Sequence, residues 1–167
     1  FTFDFGTSDT GRDIGHDISQ RMWPSLALAV PSLIFGLSVN VALALFIVLF
    51  RATYFDVVGV TTCVAMMSIS SLFYIISGQY LLAKVLHWMP ISGYAPGFYA
   101  IIFLALPVLV SVFSGIGSGV RWYRTIFLEE INKEYVRTAR AKGLSEIRIL
   151  FKHVLKNAML PILTGVV

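Results

Sequence analysis

The sequence predicts an all-α, polytopic transmembrane helical bundle carrying a cytoplasmic helix-Gly-helix loop, and three observations predict it. Of the 167 residues, 57% are hydrophobic and 13% charged, with a mean hydropathy of +0.80, outside the range of a soluble domain. No Asp, Glu, Lys or Arg lies between Arg21 and Arg51, between Asp56 and Lys84, or between Lys84 and Arg121. Of the 13 Lys and Arg residues, all but Arg12, Arg21, Arg51 and Lys84 are gathered between Arg121 and Lys156.

Each charge-free run exceeds the ~20 apolar residues that a helix needs to cross the hydrocarbon core. Spans are therefore expected at about Ser25–Phe50, Val57–Ala83 and Phe98–Val120, with a fourth starting near Ala158. Buried helices of a soluble core are the alternative, but such helices rarely run this far without a polar face. The loop 121–157 holds Arg121, Arg124, Lys133, Arg137, Arg140, Lys142, Arg148, Lys152 and Lys156 against Glu129, Glu130, Glu134 and Glu146. By the positive-inside rule it is expected in the cytoplasm. Counting back, 84–97 and the segment 1–22 are external and the turn 51–56 internal, so that 23–167 reads as a partial transmembrane domain. Asp4, Asp9, Asp13 and Asp17 outweigh Arg12 and Arg21 in the first segment, in keeping with this. Trp23, Trp88, Tyr94, Trp122 and Tyr123 fall near span ends, where amphipathic rings favour the headgroup region.

Within the spans, Pro31 and Pro107 each remove a backbone hydrogen bond that neighbouring helices or water must replace. Gly115, Gly117 and Gly119 include a G-x-x-x-G spacing, expected to let helix backbones approach closely. Asn40, Thr61, Gln79 and Ser114 are polar groups with two readings, lining a pathway or bonding a neighbouring helix. Cys63, the one cysteine, excludes an internal disulfide and reads as apolar filler. The last apolar run, Ala158–Val167, is shorter than a span, and the chain begins at Phe1, so a piece of a longer protein is expected.

In the basic loop, Asn132 is expected to cap a helix from Lys133 to Lys142, which Gly143 ends with a left-handed turn. Lys133, Arg137 and Arg140 share one face and Val136 and Ala139 another, and small Ala139 and Ala141 would admit a partner's backbone. Ser145 is expected to cap a second helix. There Ile147, Leu150, Phe151, Val154 and Leu155 form an apolar stripe, with Arg148, Lys152 and Lys156 stacked elsewhere. Taken alone, this bracket fits docking onto a protein and binding of anionic lipid equally well.

Several functions are excluded or left without support. The pI of 9.4 invites a nucleic-acid reading, but the charge is juxtamembrane and shows no aromatic-interleaved pattern. No G-x-x-x-x-G-K-[ST] phosphate loop is present, and Asp4-Phe5-Gly6 matches a kinase tripeptide without its companions. His16, His87 and His153 are scattered, so that no metal-binding or catalytic constellation is expected.

The run Tyr135-Val136-Arg137-Thr138-Ala139-Arg140-Ala141-Lys142-Gly143-Leu144-Ser145, followed by His153-Val154-Leu155-Lys156-Asn157-Ala158, closely resembles the cytoplasmic loop of ABC importer permeases. The form is that of the dipeptide, oligopeptide and nickel branch. The wider family's pattern is Glu-Ala-Ala, three residues, Gly, nine residues, then Ile-x-Leu-Pro. Aligned on Gly143, this chain has Arg137, Thr138 and Ala139, then His153, Leu155 and Lys156, at those places. Arg137 thus carries the charge opposite to the family's glutamate. Asp4-Phe5-Gly6-Thr7-Ser8, Arg21-Met22-Trp23-Pro24-Ser25-Leu26, Pro90-Ile91-Ser92-Gly93 and Leu106-Pro107 also resemble that branch.

The resemblance implies a multi-pass permease subunit in a bacterial or archaeal cytoplasmic membrane, importing di- or oligopeptides or a related small solute. Its implied partners are a second permease subunit, an extracytoplasmic solute-binding protein, and ABC ATPase subunits that hold the ATP and Mg. This chain itself carries no cofactor in that scheme. The 133–157 loop would couple to the ATPase through Tyr135, Arg137, Thr138, Ala139, Arg140, Ala141, Lys142, Gly143 and Leu144. A membrane-anchored interaction or signalling module, whose basic loop binds a partner or anionic lipid, is the competing reading.

Overall fold

A computed structural model describes Gly6, Gly11, residues 13–88, Pro90 and residues 100–165. Asp4, Phe5, Thr7, Ser8, Arg12, Tyr94 and the expected start of the third span at Phe98 lie outside the described residues. Helix α1 spans Ile14–Leu49, α2 Tyr54–Met67 and α3 Ser71–Gly78, the last continuing as a π-helical segment over Gln79–Val85. Helix α4 spans Ala100–Ile131, α5 Glu134–Ala141 and α6 Glu146–Ile149; a π-helical turn over Leu150–Val154 leads into α7, Leu155–Thr164. Among the described residues there is no β-strand, and the chain is an all-α membrane protein.

Helix α1 begins well before the expected start at Ser25 because Asp13 caps it. The Asp13 carboxylate accepts hydrogen bonds from the N–H groups of Gly15 and His16 at 2.9 and 3.3 Å, satisfying two of the free donors at the helix start. Pro24 and Pro31 are carried inside the helix. At 36 residues it is ~54 Å long, well beyond the ~30 Å hydrocarbon core. Helix α4 likewise runs past the expected end at Val120 to Ile131. Hydropathy marks where lipid ends, whereas a helix continues as long as its backbone ladder does. Both helices are long and apolar enough to cross a membrane, and α2 with α3 qualifies as a third crossing only if the pair, broken between Met67 and Ser71, counts as one.

Two compact units are present, Phe1–Ile34 with Ile75–Ser111, and Phe35–Tyr74 with Val112–Val167. In the first, Gly78 lies so close to Val110 that an added Cβ would stand 2.5 Å from its methyl group. Among its described residues Ala83, Leu106, Val108 and Val110 are buried.

The second unit holds one apolar cluster. Ala44, Leu45, Ile47 and Val48 of α1, Cys63 of α2, and Val120, Ile126, Phe127 and Ile131 of α4 meet Val136, Ala139, Ile149, Leu150, Val154, Ala158 and Ile162 in it. The glycines of α4 make the helix contacts possible, though not as one G-x-x-x-G face. A Cβ on Gly117 would lie 2.7 Å from the Cys63 carbonyl oxygen of α2, whereas one on Gly119 would lie 2.6 Å from Asn40 Nδ2 of α1, and one on Gly115 meets nothing within 4 Å. Two residues apart on a helix means opposite sides, so Gly117 and Gly119 serve different neighbours.

Gly117→Ala in the full-length protein should therefore destabilise by about 1–3 kcal/mol, since the methyl meets backbone that cannot rotate away. Gly115→Ala should be neutral. Thermal unfolding midpoints in one detergent check the contrast, and equal midpoints for the two variants would refute it.

Candidate functional site

The described loop begins where α4 ends. Because α4 runs to Ile131, Asn132 sits at its C-terminus and does not cap α5. Its Nδ2 donates to the Leu128 carbonyl at 2.9 Å, one of the carbonyls a helix end leaves unpaired. The extended N-cap position of α5 is instead Lys133. Glu130 is the hinge post of this junction: only 6% exposed, it accepts Lys133 Nζ at 2.6 Å on Oε1 and the Tyr135 hydroxyl at 2.7 Å on Oε2. The hydrogen bond to Glu130 holds the Lys133 ammonium above its ordinary pKa. Burial, reinforced by that carboxylate, raises the Tyr135 phenol.

On α5, Val136 and Ala139 share a face, as the helical spacing predicts, and that face turns into the apolar cluster. Ala139 is thus spent on the chain's own core and offers no backbone approach to a partner; Ala141 is exposed. Arg137 and Thr138 face outward, Arg137 paired with Glu134 at 2.9 Å and the Thr138 hydroxyl donating to the Glu134 carbonyl. Lys142 is exposed at the C-cap. Gly143 adopts φ +75°, the left-handed conformation that glycine takes without penalty. Around it the N–H of Gly143 donates to Arg140 O at 2.9 Å and that of Leu144 to Ala139 O at 3.3 Å. These two bonds are a Schellman end, and Leu144 packs against the same cluster as Ala139.

Ser145 occupies the N-cap of α6 with extended backbone, but its side chain makes no capping hydrogen bond. The apolar stripe beyond it differs from the expected one. Ile149, Leu150, Val154, Ala158 and Ile162 are buried, while Ile147 and Phe151 are 58% and 57% exposed. Leu150, Val154 and Leu155 of the expected stripe do meet the cluster, and a π-turn over Leu150–Val154 widens the helix there and shifts the register after Ile149. Ile149 and Val154 are both buried and Phe151, within the turn, faces outward; Ile147, ahead of the turn, is exposed as well.

Glu146 joins three segments. It accepts Arg140 Nε at 2.7 Å and Nη2 at 3.2 Å from α5, and pairs with Arg51 at 3.5 Å from the turn after α1. These guanidinium groups, Arg140 first, hold the Glu146 carboxyl below its ordinary pKa. The turn after α1 is tied a second time: Asp56 accepts Arg124 Nε and Nη2 at 3.0 and 2.8 Å on Oδ1, with a further 3.0 Å bond to Oδ2. The same carboxylate takes the N–H of Ala52, whose φ of +62° is the left-handed conformation that side chains disfavour.

The family model of binding-protein-dependent transport system inner membrane components matches residues 26–167. The chain belongs to that family. It is 32% identical over 162 residues, 96% of its length, to a glutathione transport system permease protein of Salmonella choleraesuis (strain SC-B67), and likewise to that of Salmonella typhi. It is 28% identical over 169 residues, 98% of its length, to a putative peptide transport system permease protein of Brucella suis biovar 1. The chain spans about half the length of the curated relatives it matches, 52% and 54% respectively.

In this inner-membrane component the polar span residues have separate settings. Asn40 is buried at the α1–α4 contact, with no hydrogen-bond partner for its Oδ1 among the described residues. Thr61 is exposed on α2, its hydroxyl donating to the Val57 carbonyl of the same helix. Gln79 opens the π-segment after α3 and Ser114 lies half-buried in α4. Sequence reasoning missed the ties made by Glu130, Glu146, Asp56 and Arg124. A Glu-x-x-Lys-x-Tyr run at a helix end is a signal for the first. Asp56 and Arg124 are 68 residues apart, and nothing in their local sequence pairs them.

Because the folded pKa of Glu146 is depressed, its contribution is present above the unfolded value of about 4.3 and is lost as pH falls through the folded one. The group is partly exposed, so the effect is modest, about 0.2–1 kcal/mol. Glu146→Gln in the full-length protein should speed hydrogen exchange at the α5–α6 corner a few-fold at neutral pH. Wild type and variant should converge only once pH has fallen through the depressed folded pKa of Glu146. Identical exchange at pH 7 would show that the ion pairs hold nothing.

Proposed function

We propose that this chain belongs to a permease subunit of an ATP-driven importer for peptides or a related small solute, with ATP and Mg held on separate ATPase subunits. The family match and the glutathione and peptide transport permeases among its relatives support that reading. In it the 133–157 loop lies in the cytoplasm of a bacterial or archaeal cell and meets the ATPase. A second permease subunit completes the pathway and an extracytoplasmic solute-binding protein delivers the solute.

One observation carries the coupling role. Helix α5 presents Arg137, Thr138, Ala141, Lys142 and Gly143 outward while Val136 and Ala139 are buried in the same cluster as Val48 of α1 and Phe127 of α4. A displacement of α5 by an ATPase therefore cannot be absorbed inside the loop, because close-packed interiors transmit strain. It passes to the ends of α1 and α4. Tyr135 through Glu130, and Arg140 through Glu146, hold the angle of α5 to its neighbours and are positioning residues. Asn40, Thr61, Gln79 and Ser114 are proposed to line the pathway in an open state.

An added side chain at Gly143 meets nothing within 4 Å, so the cost of substitution there is conformational alone. Gly143→Val, in the complete permease reconstituted with its ATPase, should cut uptake about 5–30-fold, matching ~1–2 kcal/mol for a branched residue in the left-handed region. Gly143→Asn should stay near wild type, since Asn tolerates that region. Labelled di- and tripeptide uptake beside ATPase co-purification tests it. Unchanged uptake and association in the Val variant would overturn the docking role, and an inert wild-type assembly would favour the anchored-module reading.

A further inference from the structure

The charges of the loop fall into two populations. Lys133 is answered by Glu130, Arg137 by Glu134, Arg140 and Arg51 by Glu146, and Arg124 by Asp56. Arg121, Lys142, Arg148, Lys152 and Lys156 are exposed, and among the described residues none of them forms an ion pair; the last three follow one another along α6, the π-turn and α7. Arg148, Lys152 and Lys156 run through the π-turn as one exposed ridge, beside the buried Ile149, Leu150, Val154 and Ala158. The next position on that ridge is Leu160, 73% exposed. On the neighbouring ridge Ile147, Phe151 and Leu163 are exposed, whereas Leu155 and Met159 between them pack against the apolar cluster.

A helix surface that passes from unpaired cations to bare leucines within three turns matches a boundary between phosphate and hydrocarbon. The three cations cover ~12 Å of rise, comparable to the headgroup layer plus the reach of a Lys or Arg side chain. We propose that the outer face of α6 and α7 seats anionic phospholipid headgroups, with Arg148, Lys152 and Lys156 on the phosphates. Phe151 lies at the interface between them, and Leu160 and Leu163 lie against acyl chains. An acidic protein surface would match the cations but leave Phe151, Leu160 and Leu163 facing charge, whereas a lipid leaflet satisfies both ridges. The paired cations of α5 take no part. This proposal rests on the membrane placement of the chain and not on the transport reading.

The test uses the full-length permease in nanodiscs of phosphatidylcholine with a minority of phosphatidylglycerol, extracted gently and read by native mass spectrometry for retained lipid. Wild type should keep phosphatidylglycerol in preference to phosphatidylcholine. The Arg148→Gln, Lys152→Gln, Lys156→Gln variant should lose that preference, about fivefold for each cation removed. Arg137→Gln with Arg140→Gln should leave it intact. Should the triple variant fail to fold, Lys152→Gln alone, expected to lose about fivefold, decides the matter. Undiminished phosphatidylglycerol retention would overturn the proposal, and so would loss of ATPase co-purification with lipid retention unchanged, which would assign the ridge to a protein.

Discussion

The burial of Val136 and Ile149 against Phe127 and Val48 is the contact on which the rest of the structure depends. A short eight-residue helix such as α5 has no stability of its own in water. It persists because its two inward side chains share a cluster with the ends of α1 and α4. Val136 contributes about 1.5–3 kcal/mol when its alternative is water, and the Ala139 methyl about 0.8 kcal/mol. The contact thereby makes the loop part of a solid unit, and the outward residues of α5 gain a fixed platform.

Local chemistry then orients that platform. The Schellman end at Gly143 turns the chain through a conformation that only glycine enters freely, and the same two hydrogen bonds bring Leu144 back onto the cluster beside Ala139. Glu146 draws Arg140 toward the start of α6 and reaches Arg51 beyond it. Exposed ion pairs of this kind add little stability. Their consequence is directional: they compensate Arg137 and Arg140 of α5 and leave Arg148, Lys152 and Lys156, with Lys142 and Arg121, unanswered among the described residues. A loop that reads as uniformly basic in one dimension is divided in three into a compensated helix and a bare cationic ridge.

The crossing of α1, α2 and α4 follows a different logic, because lipid offers apolar side chains no reason to leave it. Close approach at Gly117 and Gly119 and the Asp56–Arg124 pair supply the attraction that hydrophobicity does not. Asn40 is the local cost of this arrangement. Its carboxamide lies against Gly119 with Oδ1 unpaired among the described residues, a burial that opposes the contact. The left-handed Ala52 is another, offset by the hydrogen bond that its N–H gives to Asp56.

Composition and charge gaps were enough to establish an all-α membrane protein, because a bilayer demands long uncharged runs whatever the fold. The turn at Gly143 and the common face of Val136 and Ala139 were also legible, since a left-handed C-terminus and a helical period are local properties of the chain, but not that Ala139 would face the chain's own core. The ends of α1 and α4, the true cap of α5 and the buried face of α6 were not. Asp13 extends one helix, Asn132 closes another, and the π-turn at Leu150–Val154 changes the register of everything after Ile149. Which carboxylate answers which guanidinium was likewise decided by tertiary structure, for Asp56 meets Arg124 only after α2 and α4 have packed. Sequence alone determined the solvent of each segment, because solvent preference belongs to residues singly. Only the fold decided the partners, because a contact belongs to two residues and the distance between them.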